Sequence, residues 1–345
     1  MPGKIKVLVA DDSGLMRLII SDILNSEHDI EVIGTAVDGK DAVEKAISLN
    51  PDVLVLDMYM GEYDGTYTIK HLLAKKKIPI LILSSMGNTN LDPILDALHL
   101  GAFDYLNKPK DNKAKVREVG EQLVKKVRQA KESGLRLVKS SEFKLNQSLH
   151  TFSEKLNYDV IVIGASTGGP TAVEKVIRNL PENLPVPVLI AQHMPANFVP
   201  SFVNRLDGVT PLKVRMGRKD DLLVPGTITI APGSRNMIVK RENGHVVVDF
   251  ISKKFKEYNY PSINALFLSV AEVYKKRTIS VILTGMGKDG AYGSGEIFEA
   301  GGYTISQSKD TSAVYGMPRA VEERGFSKSV VPLNEISGFL VSCLA

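Results

Sequence analysis

The sequence predicts an α/β protein built from two doubly wound units in tandem, and three observations carry that reading. Apolar strand-like runs alternate with amphipathic stretches of helix length through residues 1–110, a pattern that builds a parallel sheet with helices on both faces. A second block with the same alternation begins at Tyr158. The chain has 345 residues, more than one ordinary domain of about 100–200 residues.

In the first block, strands are expected at Ile5–Ala10, Ile30–Thr35, Val53–Leu56, Ile78–Leu83 and Phe103–Leu106. Gly39 and Pro51 bracket a helix over Lys40–Leu49, and Gly101 closes one over Leu91–Leu100, as helix stops do. A polar, charged helix is expected over 113–132. Ser, Lys, Asn and Gln then dominate, which marks a linker. These signals set domains at 1–125 and 158–345, joined by a basic linker at 126–157. In the second block, strands are expected at Asp159–Ile163, Val186–Ala191, Thr227–Ala231, Asn236–Lys240, Val246–Phe250, Thr278–Leu283 and Tyr303–Gln307. Helices are expected over Thr171–Leu180, Ser262–Tyr274 and Gly290–Ala300. Region 227–250 is expected to be an antiparallel hairpin insertion, with Glu242-Asn243-Gly244 as its turn.

Bulk properties narrow the function classes. Cys343 is the one cysteine, so no internal disulfide forms and the chain fits a reducing, cytoplasmic compartment. Met1-Pro2-Gly3-Lys4 opens no apolar signal core. No apolar run approaches the roughly 20 residues of a membrane span, so no membrane insertion is expected. The net charge of +4 is too small to argue for nucleic acid, and no helix-turn-helix signal supports it. The charge is uneven, with −5 over residues 1–110, +5 over 111–156 and +4 over the rest.

Polar residues end the strands of the first block. Asp11 and Asp12 follow the first, Asp57 the third and Ser84 the fourth, while Lys108 follows the fifth by one residue. Ligands of doubly wound sheets bind at the carboxyl ends of the strands. Each acid alone reads as a solvated loop residue. Together, three carboxylates repel one another and call for a cation, and hard oxygens suit Mg²⁺. With the Lys108 ammonium and the Ser84 hydroxyl, the set fits attack by a carboxylate on a phosphoryl group.

In the second block, the Asp159–Ile163 strand runs into Gly164-Ala165-Ser166-Thr167-Gly168-Gly169-Pro170 and then a helix. Gly164–Gly168 fits the G-x-S-x-G nucleophile elbow. A phosphate-binding loop is the competing reading, although the dinucleotide spacing and a Walker lysine are both missing. His193 follows the Val186–Ala191 strand, on the same sheet edge as Ser166. It is either a general base or a structural histidine. Asp289, in Thr284-Gly285-Met286-Gly287-Lys288-Asp289-Gly290, is the candidate to orient the imidazole, or an N-cap of the helix it precedes.

These motifs resemble the chemotaxis response-regulator methylesterases, the CheB family. Residues 1–125 look like a flavodoxin-like receiver domain, and 158–345 like that family's larger, Rossmann-like catalytic domain. The resemblance implies that Asp11 and Asp12 bind metal with Asp57, that Asp57 is phosphorylated, and that Ser84, Tyr105 and Lys108 form the switch. Tyr105 alone reads equally as a half-buried ring. It implies a Ser166, His193, Asp289 triad, with Thr167 and Met286 around the oxyanion and substrate. The implied activity is hydrolysis of glutamate γ-methyl esters on methyl-accepting chemoreceptors, with glutamine deamidation beside it. The histidine kinase CheA is the implied phosphodonor, Mg²⁺ serves the receiver, and the ester chemistry needs no cofactor. The unphosphorylated receiver is implied to cover the catalytic face. Four departures stand out. Gly61 and Tyr63 replace a proline and a methionine in the loop after Asp57. Asn264 stands where the family often has aspartate, and Ser308-Lys309 replace an acidic pair. Asn264 and Ser308-Lys309 motivate an alternative, a phosphorylation-dependent receptor-binding scaffold with little esterase activity.

Overall fold

The computed structural model describes residues 3–84, 91–108, 113–134, 151, 152, 156–252, 255 and 260–345. Most of the expected linker therefore lies outside the described residues. Contacts divide the chain into two compact units, Met1–Leu137 and Val138–Ala345.

The first unit runs β1 (Ile5–Ala10), α1 (Gly14–Asn25), β2 (Ile30–Ala36), α2 (Gly39–Leu49), β3 (Val53–Asp57), α3 (Gly65–Lys75), β4 (Ile80–Ser84), α4 (Asp92–Leu100), β5 (Asp104–Asn107) and α5 (Lys113–Ser133). Its sheet has the order β2-β1-β3-β4-β5, all parallel, the flavodoxin-like arrangement. β3 and β4 are buried along their whole length, because helices cover both faces. Side chains set the helix starts. Ser13, Asp38 and Asp64 accept the N–H of Met16, Asp41 and Tyr67, each capping a first turn.

The loop after β3 explains one departure. Gly61 sits at φ +72°, a left-handed conformation closed to proline, whose ring holds φ near about −65°. A Cβ at Gly61 would meet open space, so the cost of a side chain is conformational. The left-handed penalty of about 1–2 kcal/mol outweighs the entropy gain of replacing glycine, about 0.4–1 kcal/mol. Gly61→Ala is therefore expected to destabilise the first unit by about 1 kcal/mol. Urea unfolding of the full chain checks this, and an unchanged or higher midpoint for that unit would contradict it.

The second unit runs β6 (Val160–Ala165), α6 (Gly169–Arg178), β7 (Val188–Gln192), α7 (Val199–Asp207), β8 (Lys213–Met216), β9 (Thr227–Ile230), β10 (Asn236–Glu242), β11 (His245–Ile251), α8 (Ile263–Tyr274), β12 (Thr278–Ile282), α9 (Ala291–Glu299), β13 (Tyr303–Gln307), α10 (Met317–Glu322), β14 (Ser329–Val331) and α11 (Ile336–Leu344). Seven strands form a parallel sheet ordered β14-β13-β12-β6-β7-β9-β8. β10 and β11 form the separate antiparallel hairpin, with Asn243 and Gly244 both at positive φ, as a two-residue hairpin turn requires. The hairpin is shorter than region 227–250. β9, at Thr227–Ile230, pairs in parallel with β7 and β8 instead.

The core of this unit packs Val160, Val162 and Leu189 against Leu266, Phe267 and Val270 of α8. Among the described residues, no helix is long and apolar enough to cross a membrane.

Candidate active site and phosphoacceptor site

Strand order places the second site. β6 is followed by β7 on one side, and the chain later returns with β12 on the other. The crevice at such a reversal is where open α/β sheets bind ligands. Ser166 directly follows β6, His193 directly follows β7, and Asp289 lies in the loop between β12 and α9.

The turn at Ser166 is a strand-to-helix elbow. The Ser166 N–H donates to the Thr284 carbonyl at 3.0 Å, and the Gly169 N–H closes the turn onto the Ser166 carbonyl at 2.7 Å. Gly168 adopts φ +73°, which explains the flanking glycine.

The three expected residues form a relay. Ser166 Oγ lies 3.1 Å from His193 Nδ1, and His193 Nε2 lies 2.8 Å from Asp289 Oδ2. The side chains of His193 and Asp289 are 5% and 2% exposed, whereas Ser166 is half-buried. An ionised carboxylate only accepts hydrogen bonds, so Nε2 carries the hydrogen and Nδ1 is left to accept from the Ser166 hydroxyl. The ring is turned relative to a chymotrypsin-type triad, where Nε2 meets the serine. The two nitrogens exchange roles, and one still accepts from the serine while the other donates to the carboxylate.

Asp289 accepts more than the histidine bond. Its Oδ2 also takes the Ile263 N–H at 2.7 Å. Its Oδ1 takes the Asn264 and Gly290 N–H groups, both at 3.0 Å, and the Ser262 hydroxyl at 3.2 Å. Burial pushes its carboxyl up. The hydrogen bond and charge of His193 and the N–H groups of Asn264 and Ile263 outweigh burial and hold it below the ordinary range. Asp289 thus caps the neighbouring helix α8, as well as taking the N–H of the residue after it.

Thr167 is buried, and its carbonyl accepts the Thr284 hydroxyl at 2.9 Å. Met286 is half-buried. It follows Gly285, where an added Cβ would fall 2.7 Å from Ser166 Cβ. Thr167 thus adjoins the serine in sequence, and Met286 follows a glycine that packs against it.

Four further residues hold the site. Gln192 Nε2 donates to the carbonyls of Ser166 and His193, at 3.0 Å each, tying nucleophile turn to base loop. Ser262 caps α8 and reaches Asp289. Gln307 Oε1 accepts the Thr284 N–H at 2.7 Å, and Thr284 holds the Thr167 carbonyl. The signal for Gln192 and Gln307 is a polar residue ending a buried strand. Of the departures, Asn264 lies inside this network, whereas Ser308 stabilises a local turn by accepting from Ser312 Oγ at 2.9 Å.

The first unit brings Asp11, Asp12, Asp57 and Lys108 together as well. Ligand oxygens of Asp11, Asp12 and Asp57 all lie within 4.8 Å of one another. This all-oxygen set fits a hard divalent cation. Lys108 Nζ is 2.6 Å from both Asp11 Oδ2 and Asp57 Oδ2. Burial pushes the Asp57 carboxyl above the usual range. The Lys108 hydrogen bond and charge oppose that rise, and the Asp11 charge adds to it. Ser84 Oγ is buried and has no hydrogen-bond partner among the described residues. Its carbonyl accepts the Lys108 N–H at 2.7 Å. Tyr105 is buried at 7% exposure.

Comparisons with known proteins match both units. Residues 161–340 match the family model for CheB methylesterase, and residues 7–119 that for the response regulator receiver domain. A protein-glutamate methylesterase/protein-glutamine glutaminase of Thermotoga maritima is 38% identical over 341 residues, covering 98% of this chain and 98% of that protein. A namesake (number 2) from Methanosarcina acetivorans is 38% identical over 349 residues, covering 96% and 97%. The crystal structure of the Thermotoga maritima CheB methylesterase catalytic domain is 39% identical, with a TM-score of 0.52, over 54% of this chain and 98% of that one. Two units with these strand orders, two clusters at their strand ends and near full-length similarity place the chain in the CheB methylesterase family.

Proposed function

We propose that this chain is a phosphorylation-controlled serine hydrolase of the cytoplasm. It removes methyl groups from glutamate γ-methyl esters of chemoreceptors and deamidates glutamine on the same proteins. The observation that carries the reading is the continuous relay from Asp289 through His193 to Ser166, at 2.8 and 3.1 Å.

His193 Nδ1 takes the hydroxyl proton as Ser166 Oγ attacks the ester carbonyl carbon. The carbonyl oxygen becomes an oxyanion, assigned to the backbone around Thr167 and Met286, at the positive N-terminal end of α6. The carbonyl re-forms, the bond to the methoxy oxygen breaks, and the imidazolium returns its proton to give methanol. Water then attacks the acyl-enzyme. His193 takes and returns that proton, and glutamate and free Ser166 result. Glutamine follows the same path with ammonia as the leaving group. Asp289 remains an anion throughout and stabilises the imidazolium.

In the receiver, Asp57 accepts a phosphoryl group from a histidine kinase, CheA in this family. Asp11, Asp12 and Asp57 would hold Mg²⁺, which when bound offsets negative charge on phosphoryl oxygens. Lys108 Nζ is the cation that follows the new charge, Ser84 Oγ donates to a phosphoryl oxygen, and Tyr105 is the switch aromatic.

A tenfold activation needs only about 1.4 kcal/mol of difference between the two receiver states. Methanol release from methylated receptor is therefore expected to rise about tenfold when the full chain is given acetyl phosphate and Mg²⁺, while Asp57→Asn stays at its basal rate. Equal activation of both proteins would end the phosphorylation control. No methanol from either would end the esterase reading.

A further inference from the structure

Two helices of the second unit exchange end caps. The N-cap of α9 is Gly290, which has no side chain to contribute. The Asn264 side chain, reaching over from α8, takes its place. Asn264 Oδ1 accepts the Gly290 N–H at 3.1 Å and the Gly293 N–H at 2.8 Å. Both partners are donors, so the amide must present its oxygen to them. In return Asp289, the residue just ahead of α9, accepts the N–H groups of Ile263 and Asn264 in the first turn of α8. The Gly290 N–H is shared between Asn264 Oδ1 and Asp289 Oδ1. Asn264 is 1% exposed.

We infer that Asn264 is a positioning residue for the triad. Resting on the hydrolase reading above, this assigns it the task of a side-chain oxygen acceptor for the Gly290 and Gly293 N–H groups. It fastens the Asp289 turn to the α8 N-terminus, so that Oδ2 stays in reach of His193 Nε2. It does so without setting a second carboxylate beside Asp289, where like charge would raise proton affinity across the site.

The test compares four full-length variants with wild type, measuring methanol release from methylated receptor across pH. Asn264→Ala is expected to lower kcat at least tenfold with KM unchanged, because the acceptor is lost and Asp289 drifts from the imidazole. Asn264→Asp restores the acceptor and is expected to recover most of kcat above neutral pH. Phe267→Leu disturbs the buried packing of α8 without touching these hydrogen bonds. It is expected to lower the melting temperature while kcat, measured well below unfolding, holds.

Wild-type kcat in Asn264→Ala would overturn the inference. So would a loss no larger than that of Phe267→Leu, or an Asn264→Asp no better than Asn264→Ala at every pH. Ser166→Ala is run alongside as the blank. No release above this blank from wild type sinks the hydrolase reading itself, whereas normal wild-type release with an unaffected Asn264→Ala sinks only the role of Asn264.

Discussion

Ser166→Ala is expected to lower kcat for methanol release by about 10⁴-fold or more, the scale seen when a serine hydrolase loses its nucleophile. The relay has one outlet, the hydroxyl 3.1 Å from His193 Nδ1. Alanine leaves the base with no proton to take and no oxygen to form the acyl-enzyme. Folding should survive. Ser166 is half-buried, and the turn is held by backbone bonds to Thr284 and Gly169, neither of which involves Oγ. The stability change should stay within about 1 kcal/mol. Thermal unfolding checks the fold, and methanol release with labelling by a serine-reactive phosphonate checks the chemistry. Turnover within tenfold of wild type would end the assignment of Ser166.

Asp289→Asn should be almost as damaging to rate and far worse for stability. Five donors converge on the carboxylate, three at Oδ1 and two at Oδ2. An amide has one oxygen, so its NH₂ must face donors on one side. If it faces His193, the ring turns its bare Nε2 to the amide and Nδ1 carries the hydrogen, which removes the base. A carboxylate-to-amide change of this kind costs about 10⁴-fold in kcat. Donors left buried and unpaired cost about 1–3 kcal/mol each, so a loss of about 3 kcal/mol is expected. The pH dependence follows from the depressed carboxyl of Asp289. Its contribution is present above the unfolded-state value of about 3.9 and disappears as pH falls through the lower folded-state value. Urea unfolding should therefore show the wild-type advantage intact at neutral pH and shrinking below about pH 4. An advantage independent of pH would contradict this.

Much of this was legible because residue type and position coincide. Doubly wound sheets concentrate chemistry at strand ends, so Asp57, Ser84, Ser166 and His193 announce themselves by following apolar runs. The parts that escaped have physical reasons. β8, Lys213–Met216, is a four-residue edge strand with two basic residues, and β14 is three residues long. Neither carries a run long enough to read. β9 alternates Thr and Ile, which suits a hairpin as well as a parallel strand, and only its neighbours decide. Asp289 read as a cap for the helix that follows it, yet its oxygens also serve α8, 25 and 26 residues away in sequence. Gln192, Ser262 and Gln307 act through bonds spanning 26, 27 and 23 residues, and no local pattern encodes such a span.

The order in which the large sheet is laid down has its own outcome on the ribosome. β6 and β7 emerge first, carrying the serine and the imidazole, while the flank of β6 that will receive β12 is still bare. A nascent chain short of Asp289 therefore has a hydroxyl and a ring but no anion to orient them. Hydrolytic competence arrives late in synthesis, once the polypeptide has doubled back and filled that open flank.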